Sequence, residues 1–397
     1  MDSQPLSSGR SVPDSHVTHT LEELSADEIY WRDHQVWLEA QGYMLRPRYR
    51  PNWVPSWKGE PNPDFFRIED SQTLGARHLI DATRISDNQM VMLKRVSIHA
   101  HPFEVEITKY FSTEPLSSHP RNHSVPLIDI LRTPDEDDIA ILVIPLLHTY
   151  DAPRFLTVGE SVEFFRQIFE GLQFMHQCHV AHRDCMNLNI MMDPKPLFPD
   201  MYHPISVRMK KDLSGVAKHY TRTARPVKYY FIDFGISRKY SPVNPHPLEP
   251  PIRGGDKTVP EFQRSHQPRD PFPTDIYYLG NLIREDFLEV WMLFLDVTVY
   301  VIIVMQKTIG VEFMAPLVAD MVQADPSKRP TIDEVVQRFE DICRSLRWWK
   351  LRSRLIEKRE LGYLITFRSV KHYIRTVAHV LTLKSAVPTP RTWPSYL

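Results

Sequence analysis

The sequence predicts an α+β fold in which a β-rich part with one helix precedes a larger, mainly helical part. Two strand-like runs, "HLIDATRI" and "MVMLKRV", are joined by a turn signal at Ser86 to Asn88. Two further runs, "VPLIDIL" and "IAILVI", follow a short helix predicted for 102–111. After Ile144 the apolar residues recur at the 3.6-residue spacing of a helix. That spacing is carried by Phe165, Ile168, Phe169, Leu172 and Met175.

Five regions are predicted along the chain. They are a disordered polar tail (1–24), an N-terminal helix with a Pro-rich strap (25–75), the β-rich part (76–145), the helical part (146–345) and a basic, aromatic extension (346–397). Capping boxes at Ser25–Glu28 and Thr157–Glu160 predict two helix starts, and the first helix is expected to reach about Ala40 and stop at Gly42. An inserted surface loop near 194–226 and an apolar insertion near 290–308 interrupt the helical part.

Composition narrows the class of protein. The 397 residues are 42% hydrophobic and 24% charged, which are ordinary globular values that support a sizeable core. A net charge of −1 gives no global field to attract nucleic acid, so no nucleic-acid partner is expected. Three scattered cysteines are too few for a disulfide framework or a zinc site, and the N-terminus lacks the apolar core of a secretory signal. An intracellular location, in cytoplasm or nucleus, is therefore predicted.

Two further segments could be mistaken for membrane or nucleic-acid binding elements. The apolar run 290–305 contains Asp296 and is shorter than the roughly 18–20 residues of a spanning helix. It is predicted to be a buried segment or a poorly fitting insertion, with a membrane anchor as the less favoured alternative. The basic run 344–359 contains paired tryptophans and is predicted to be an amphipathic helix that packs its Trp and Leu side chains on the helical part. Nucleic-acid or membrane-surface binding is its alternative interpretation.

Five side chains together fit the chemistry of phosphoryl transfer, which depends on positioning and charge neutralisation. Lys94 lies on a predicted strand, where it could hold phosphates, and Glu104 on the following helix could hold the lysine. Asp184 and Asn189 belong to the stretch "HRDCMNLN", and Asp233 opens "DFG" directly after a strand. Each motif is weak alone, but their order on a strand-then-helix chain is specific.

On these motifs the chain resembles a eukaryotic protein kinase catalytic domain from roughly Leu79 to Ser345. Further matches are "VPEF", "TDIYYLG" and "DPSKRPT". The resemblance implies a bilobal fold with a small β-rich N-lobe and a larger helical C-lobe, and the divergent kinase-like subset found in fungi is the nearest likeness. It also implies that Glu261 pairs with Arg329 to staple the activation segment, and that Asp275 braces the catalytic loop.

The resemblance further implies a role for each site residue. Asp184 would orient the substrate hydroxyl, and Lys94 paired with Glu104 would hold the α- and β-phosphates of ATP. Glu106 is the second choice for the lysine's partner. Asn189 and Asp233 would hold Mg²⁺. In "LVIPLLH", Ile144 would lie at the gate of the adenine pocket and Leu147 would offer backbone groups to the base; a buried strand end is the alternative interpretation.

Three departures from the family pattern bear on activity. The Gly-rich loop that normally precedes the lysine strand is reduced to Gly75, so the backbone grip on phosphate is lost or supplied elsewhere. Met92 replaces a small residue over the adenine, and Met186 replaces a catalytic-loop lysine, which could cost about 100-fold in rate. The predicted function is transfer of the γ-phosphate of Mg-ATP to the hydroxyl of an unidentified protein, Ser or Thr rather than Tyr. A pseudokinase scaffold and a small-molecule phosphotransferase are the alternatives.

The catalytic loop and the segment after "DFG" carry predictions about regulation. His182 is predicted to be structural, packing beside "DFG". By resemblance, Arg183 would receive a phosphorylated side chain, with Ser237, Ser241 or Thr258 as candidates. The proline-rich run "SPVNPHPLEPP" supports a rival hypothesis, in which fixed φ angles order the segment without phosphate.

Overall fold

The structure is a computed structural model of the 397-residue chain. It describes residues 21–244, 246–252, 255–263, 266–295, 300–357 and 362–390, with backbone only at 290–295, 300–306, 362 and 364. The predicted disordered tail lies outside the described residues up to residue 20.

The described residues contain ten α-helices and fourteen strands. The helices are α1 (Ala26–Asp33), α2 (Gln35–Ala40), α3 (Pro102–Phe111), α4 (Val158–Gln177), α5 (Pro260–Gln263), α6 (Pro271–Ile283), α7 (Ala315–Met321), α8 (Ile332–Ser345), α9 (Trp348–Arg352) and α10 (Gly362–Leu381). The strands are β1 (Tyr43–Leu45), β2 (Leu79–Arg84), β3 (Gln89–Ser97), β4 (Asp129–Arg132), β5 (Ile139–Pro145), β6 (His148–Thr149), β7 (Val180–Ala181), β8 (Ile190–Met192), β9 (Tyr229–Phe231), β10 (Arg238–Lys239), β11 (Glu289–Leu295), β12 (Tyr300–Gln306), β13 (Thr308–Ile309) and β14 (Ile356–Glu357).

A curled antiparallel sheet with the order β1-β2-β3-β5-β4 organises the first part of the chain. The predicted strands β2 and β3 pair as a hairpin, with Leu79 opposite Lys94, and β5 pairs with β3 on its other side. Strand β1 was not predicted, because it arises from the start of the segment expected to be an extended strap. Helices take 37% and strands 15% of the residues, a mixed content that is compatible with the predicted α+β class.

The helix starts follow their capping residues, with two differences from prediction. Ser25 and Glu28 form the complete capping box of α1, but the helix is interrupted at His34 before α2 resumes. Thr157 caps α4 by accepting the Glu160 N–H, but the Glu160 carboxylate accepts from the Leu156 N–H instead of returning to Thr157. The second predicted box is therefore half formed.

Two main apolar clusters form the core of the described residues. One packs α1, α2 and β1 against one face of the sheet, with Trp31, Leu38 and Leu93 almost fully buried. The other surrounds α4, which is buried along most of its length, and reaches α3 through Ile107 and Phe111. Helix α3 therefore links the sheet to the helical part, and it carries Glu104 at their junction.

The segment Pro194 to Arg225, predicted as a surface loop, is exposed or half-buried at most positions but also sends side chains into the core. It contains no helix or regular strand, which agrees with the prediction, but Leu197, Phe198 and Tyr202 are buried within the main cluster. Its apolar residues are spaced without periodicity, so no pattern in the sequence indicates that they enter the core. We refer to residues 194–225 as the insert.

The apolar run 290–305 and the basic run 344–359 have different outcomes. The run 290–305 forms the antiparallel hairpin β11–β12, whose tip, including Asp296, lies outside the described residues. Within the described part of the chain, no helix is both long enough and apolar enough to cross a bilayer. Trp348 and Trp349 are 54% and 61% exposed, so the predicted packing of both tryptophans is wrong, although Leu351 does contact the main cluster.

Candidate active site

Lys94 lies at the centre of the candidate site and joins two carboxylates. Its ammonium group, on β3, donates to Glu104 of α3 and to Oδ1 of Asp233 at 2.9 Å. Glu104 is buried, whereas Glu106 on the same helix is exposed, so the first choice of partner is the one in contact. Burial lowers the pKa of Lys94, but the carboxylates of Glu104 and Asp233 outweigh burial and raise it. The lysine is therefore a fixed positive charge.

Asp233 is held by the backbone as well as by the lysine. It follows β9 with a positive φ of 64°, and its Oδ1 accepts the Gly235 N–H at 3.3 Å. A Cβ at Gly235 would lie 3.2 Å from both Asp233 Oδ1 and Glu104 Oε2, so a larger residue here would press on both carboxylates. Burial raises the pKa of Asp233, but the Lys94 charge and the Gly235 hydrogen bond lower it overall. An ionised carboxylate with a half-exposed side chain faces the site.

Asp184 and Asn189 form a second polar pair. The Asn189 amide nitrogen donates to Asp184 Oδ2 at 2.8 Å and to the Asp184 carbonyl at 2.9 Å. The other carboxylate oxygen, Oδ1, is buried and has no hydrogen-bond partner among the described residues. Burial, opposed by the Asn189 hydrogen bond and reinforced by Asp233, Asp256 and other carboxylates, raises the pKa of Asp184 to about 6. Because Asp233 contributes, the two polar pairs lie in one electrostatic environment.

The loop that carries Asp184 is braced by Asp275 of α6. The fully buried Asp275 carboxylate accepts the N–H of His182 at 2.8 Å and the N–H of Arg183 at 2.7 Å, and contacts His176 Nε2 at 3.0 Å. This fixes Arg183 in the left-handed region, at a φ of 68°. His182 is fully buried and its ring packs 5.3 Å from the Phe234 ring, as the structural interpretation predicts.

The Glu261–Arg329 contact predicted by resemblance is present as a buried ion pair. Two guanidinium nitrogens donate to the two carboxylate oxygens at 2.6 and 2.8 Å, and both side chains are almost fully buried. Arg329 also donates to the carbonyls of Gln323 and Pro273. The pair joins α5 to the turn before α8 and closes one end of the segment that starts at Asp233.

Arg183 is already engaged by this same segment. It donates to the carbonyls of Ile236 and Pro250 at 3.1 and 3.2 Å and lies 3.2 Å from the Glu249 carboxylate. Among the three candidate phosphorylation residues, Ser237 is fully buried and donates to the His182 carbonyl. Ser241 and Thr258 are exposed. The contacts of Arg183 favour the hypothesis that the segment is ordered without phosphate.

The insert contacts the backbone at the predicted adenine end of the site. Ile144 lies opposite Met92 across β5 and β3, and both side chains are half-buried. Leu147 is buried, and its carbonyl accepts a hydrogen bond from the Tyr202 hydroxyl at 3.1 Å. One of the backbone groups that the resemblance assigns to the base is therefore occupied by an internal donor.

Gly75 does not form a phosphate cradle. It lies outside the sheet with a negative φ, and a Cβ there would meet no atom within 4 Å. The connection from β1 to β2 is instead the long segment 46–78, which Arg46 fixes by donating to Asp81 and to the Gln72 carbonyl. The glycine-rich loop expected from the resemblance is thus replaced by a longer segment that hydrogen bonds hold in place.

Three residues near the site were missed by sequence reasoning. His101, at the start of α3, contacts the Gly235 carbonyl at 3.2 Å, and Tyr202 contacts Leu147 from the insert. Gly255, with a φ of +71°, passes so close to Asp184 that a Cβ would collide with its Oδ1. None of these three residues belongs to a recognisable sequence motif. Only the aromatic character of Tyr202 in a polar segment could have pointed to burial.

The site contains donors for a cation, but no dense cluster of ligands. Across the described residues, no three His, Cys, Asp or Glu side chains converge as metal ligands. The predicted ligands are Asp233 and the Asn189 amide oxygen, which leaves remaining positions to phosphate oxygens and water. No protein-family model and no curated protein sequence matches the chain.

Proposed function

We propose that the chain is a protein-kinase-like phosphotransferase with a bilobal fold, moving the γ-phosphate of Mg-ATP to a protein hydroxyl. The observation that carries the proposal is the contact of Lys94 with both Glu104 and Asp233, three residues from separate parts of the chain. An ordinary lysine on the solvent face of a strand is not expected to contact two carboxylates. A lysine that binds phosphate oxygens benefits from such contacts, because they fix the position of its charge.

Each residue has a role that its surroundings support. Lys94, oriented by Glu104, would pair with the α- and β-phosphates in place of its present contact with Asp233. Asp184 would accept a hydrogen bond from the substrate hydroxyl through its unpartnered Oδ1. Its pKa of about 6 suits a group that orients a hydroxyl and takes its proton near neutral pH.

Mg²⁺ fits the donor set. Asp233 is ionised and half exposed, and the Asn189 nitrogen is used by Asp184, which leaves its amide oxygen for a hard cation. When bound, the ion would neutralise phosphate charge. Asp233 and Asn189 are the side chains that would hold it.

A nucleotide-binding pseudokinase scaffold is the second candidate, and one contact favours it. Gly255 covers the unpartnered oxygen of Asp184. Transfer through that oxygen would require Gly255 to move aside, whereas binding of the phosphates at Lys94 would not. The small-molecule phosphotransferase alternative is disfavoured by the Glu261–Arg329 staple.

A titration with Mg-ATP tests nucleotide binding. We expect saturable thermal stabilisation of the wild type, and its loss in Lys94→Met and in Asp233→Ala. Lys58→Met, which removes an exposed lysine away from the site, is the matched control and should respond like wild type. Equal stabilisation of wild type and Lys94→Met would contradict the proposal.

Turnover is a separate measurement. Radiolabel transfer from ATP to basic and acidic protein acceptors, abolished by Asp184→Asn while Mg-ATP binding persists, would support the phosphotransferase. Binding without transfer at saturating Mg-ATP, across many acceptors, would assign the chain to the pseudokinase alternative.

A further inference from the structure

A large cavity lies away from the candidate active site, between the insert and helix α10. Its volume is about 940 Å³, within the range of about 300–1,000 Å³ that small-molecule sites occupy. One wall is formed by the insert from Val216 to Arg222, and the opposite wall by α10 from Phe367 to Arg375. The floor is formed by residues 153–160 and Arg354.

The lining of this cavity is strongly basic. Seven of its residues are Arg or Lys and two are Asp or Glu, in a chain whose net charge is −1. The seven cations are Arg154, Lys218, Arg222, Arg354, Arg368, Lys371 and Arg375. Positive charge has therefore been concentrated on facing walls, where mutual repulsion is costly unless an anion lies between them.

Three of the cations are available to a ligand. Lys218 on the insert, and Lys371 and Arg375 on α10, make no ion pair with any described residue. Residues 368, 371 and 375 share one face of the helix because they are three and four positions apart. Burial is the main cause of the lowered pKa of His372, and the charges of Arg354 and Arg375 lower it further.

The two acidic residues offset only part of this charge, since the lining holds seven Arg or Lys side chains. The Glu160 carboxylate is buried and held in place, because it accepts from the Leu156 N–H and from the N–H and hydroxyl of Thr223. Arg222 is likewise fixed, donating to the Tyr229 hydroxyl and the Tyr150 carbonyl, so it adds charge without changing position.

The walls are held in place independently of any ligand. Arg354 donates to the Ile365 carbonyl and to Ser369 Oγ, which ties α10 to the floor. After α10 the chain returns across α4, where a Cβ on Gly159 would collide with the Ala386 carbonyl, and Arg352 donates to the Lys384 carbonyl at 2.6 Å. The cavity is a preformed concave site, which favours affinity.

We propose that this cavity binds a compact, multiply phosphorylated anion, such as an inositol polyphosphate or the matching lipid headgroup. A concave site with cations on facing walls suits several phosphate groups on one small scaffold. An extended nucleic acid would instead require a continuous basic stripe on an open surface.

The lipid source is included because α10 also exposes apolar residues beside the cavity. Tyr363, Phe367, Val370, Tyr373, Ile374 and Val377 are 55–71% exposed. An amphipathic helix with aromatic side chains next to cations could lie on a membrane surface while the cavity holds a headgroup.

The test is a calorimetric titration of the full chain with myo-inositol hexakisphosphate. We expect one site whose affinity falls as salt rises. Lys371→Glu combined with Arg375→Glu should weaken binding by at least about 100-fold, since each charge-assisted contact is worth about tenfold. The control Lys58→Glu with Lys328→Glu makes the same change in net charge at two exposed sites and should bind like wild type.

A second variant and a second ligand source complete the design. Lys218→Ala, an exposed position on the opposite wall, should weaken binding about tenfold without affecting folding. Lys94→Met should bind hexakisphosphate normally, which separates this site from the nucleotide site. Vesicles with and without phosphatidylinositol bisphosphate distinguish the lipid from the free anion, because lipid recognition predicts sedimentation that hexakisphosphate competes away.

Three results would overturn the proposal. One is no hexakisphosphate binding by wild type, and another is equal weakening by the cavity and control pairs. The third is association with RNA or phosphatidylserine vesicles alone, unaffected by the cavity substitutions.

Discussion

Two long segments with little regular structure in their described residues flank the candidate active site, and they are held largely by different contacts. The segment from Asp233 to Glu261 is anchored by charged groups: Arg183 holds its middle and Arg329 its end. The insert has charged anchors at its C-terminal end, where Arg222 donates to the Tyr150 carbonyl and Thr223 donates to the Glu160 carboxylate. Its earlier part is held mainly by buried apolar side chains and by neutral hydrogen bonds, such as that from Tyr202 to Leu147. Charged anchors cost much when one partner is removed, whereas neutral ones cost little. The polar contacts of the earlier part of the insert are therefore the ones that can be removed at modest cost.

Removing Arg329 should have the largest effect, because it leaves Glu261 buried and ionised without its partner. Arg329→Met should lower the free energy of unfolding by about 3–5 kcal/mol, measured by urea denaturation. The control Arg338→Met breaks the pair with Asp320, whose side chains are 41% and 47% exposed, and should cost less than about 1 kcal/mol. Similar losses in both variants would mean that the buried pair does not anchor the segment.

Glu249→Gln should have the next largest effect. It removes the charge that faces Arg183 but leaves the guanidinium its two carbonyl contacts, so we expect a loss of about 2 kcal/mol and faster tryptic cleavage after Arg238 and Lys239. Ser241→Ala, at an exposed position in the same segment, should leave both measurements unchanged.

Mass spectrometry of the purified chain sharpens that prediction. A segment ordered by Glu249 needs no phosphate on Ser241 or Thr258. A stoichiometric phosphate at either residue, together with normal stability of Glu249→Gln, would instead support the hypothesis that Arg183 binds a phosphorylated side chain.

The contrast between the segments also explains what the sequence could predict. The charged anchors lie in short motifs, and an ionised side chain must find a partner when buried, so Glu261, Arg329 and Asp275 could be placed by resemblance. Strands β2 and β3 and helix α3 followed from periodicity and turn residues.

What the sequence could not predict depends on tertiary contacts alone. Strand β1 is three residues long and is fixed by contacts distant in the chain, namely its pairing with β2 across the segment 46–78 and the burial of Tyr43 and Leu45 in the sheet cluster. The burial of Tyr202 and the approach of Gly255 to Asp184 likewise arise from segments with no periodic pattern. The exposure of Trp348 reverses the usual preference of tryptophan for burial, and no local signal indicates it.

Tyr202→Phe tests a neutral hydrogen bond that anchors the insert. Loss of the hydroxyl should lower stability by about 1 kcal/mol, since one neutral buried hydrogen bond is lost. It also frees the Leu147 carbonyl, so under the proposed function the affinity for Mg-ATP should rise about fivefold, measured by calorimetry. The control Tyr220→Phe alters a tyrosine of the same insert that is 45% exposed, and should change neither quantity. Unchanged nucleotide affinity in Tyr202→Phe would remove Leu147 from the base-binding site.

Ser206→Ala should have the smallest effect. Its hydroxyl donates to Gln72 Oε1 at 2.7 Å and so ties the insert to the segment between β1 and β2, but both side chains are only half-buried. Global stability should fall by about 0.5 kcal/mol or less. Hydrogen exchange of the insert amides should nevertheless accelerate. Loss of this contact lowers the free energy of local opening of the insert, even though it has little effect on the free energy of global unfolding. Ser214→Ala, at an exposed turn of the same insert, should leave exchange unaltered. If exchange in the insert stays as slow as in α4 in every variant, then its apolar core, not its polar contacts, holds it closed, and access to Leu147 would need a larger rearrangement.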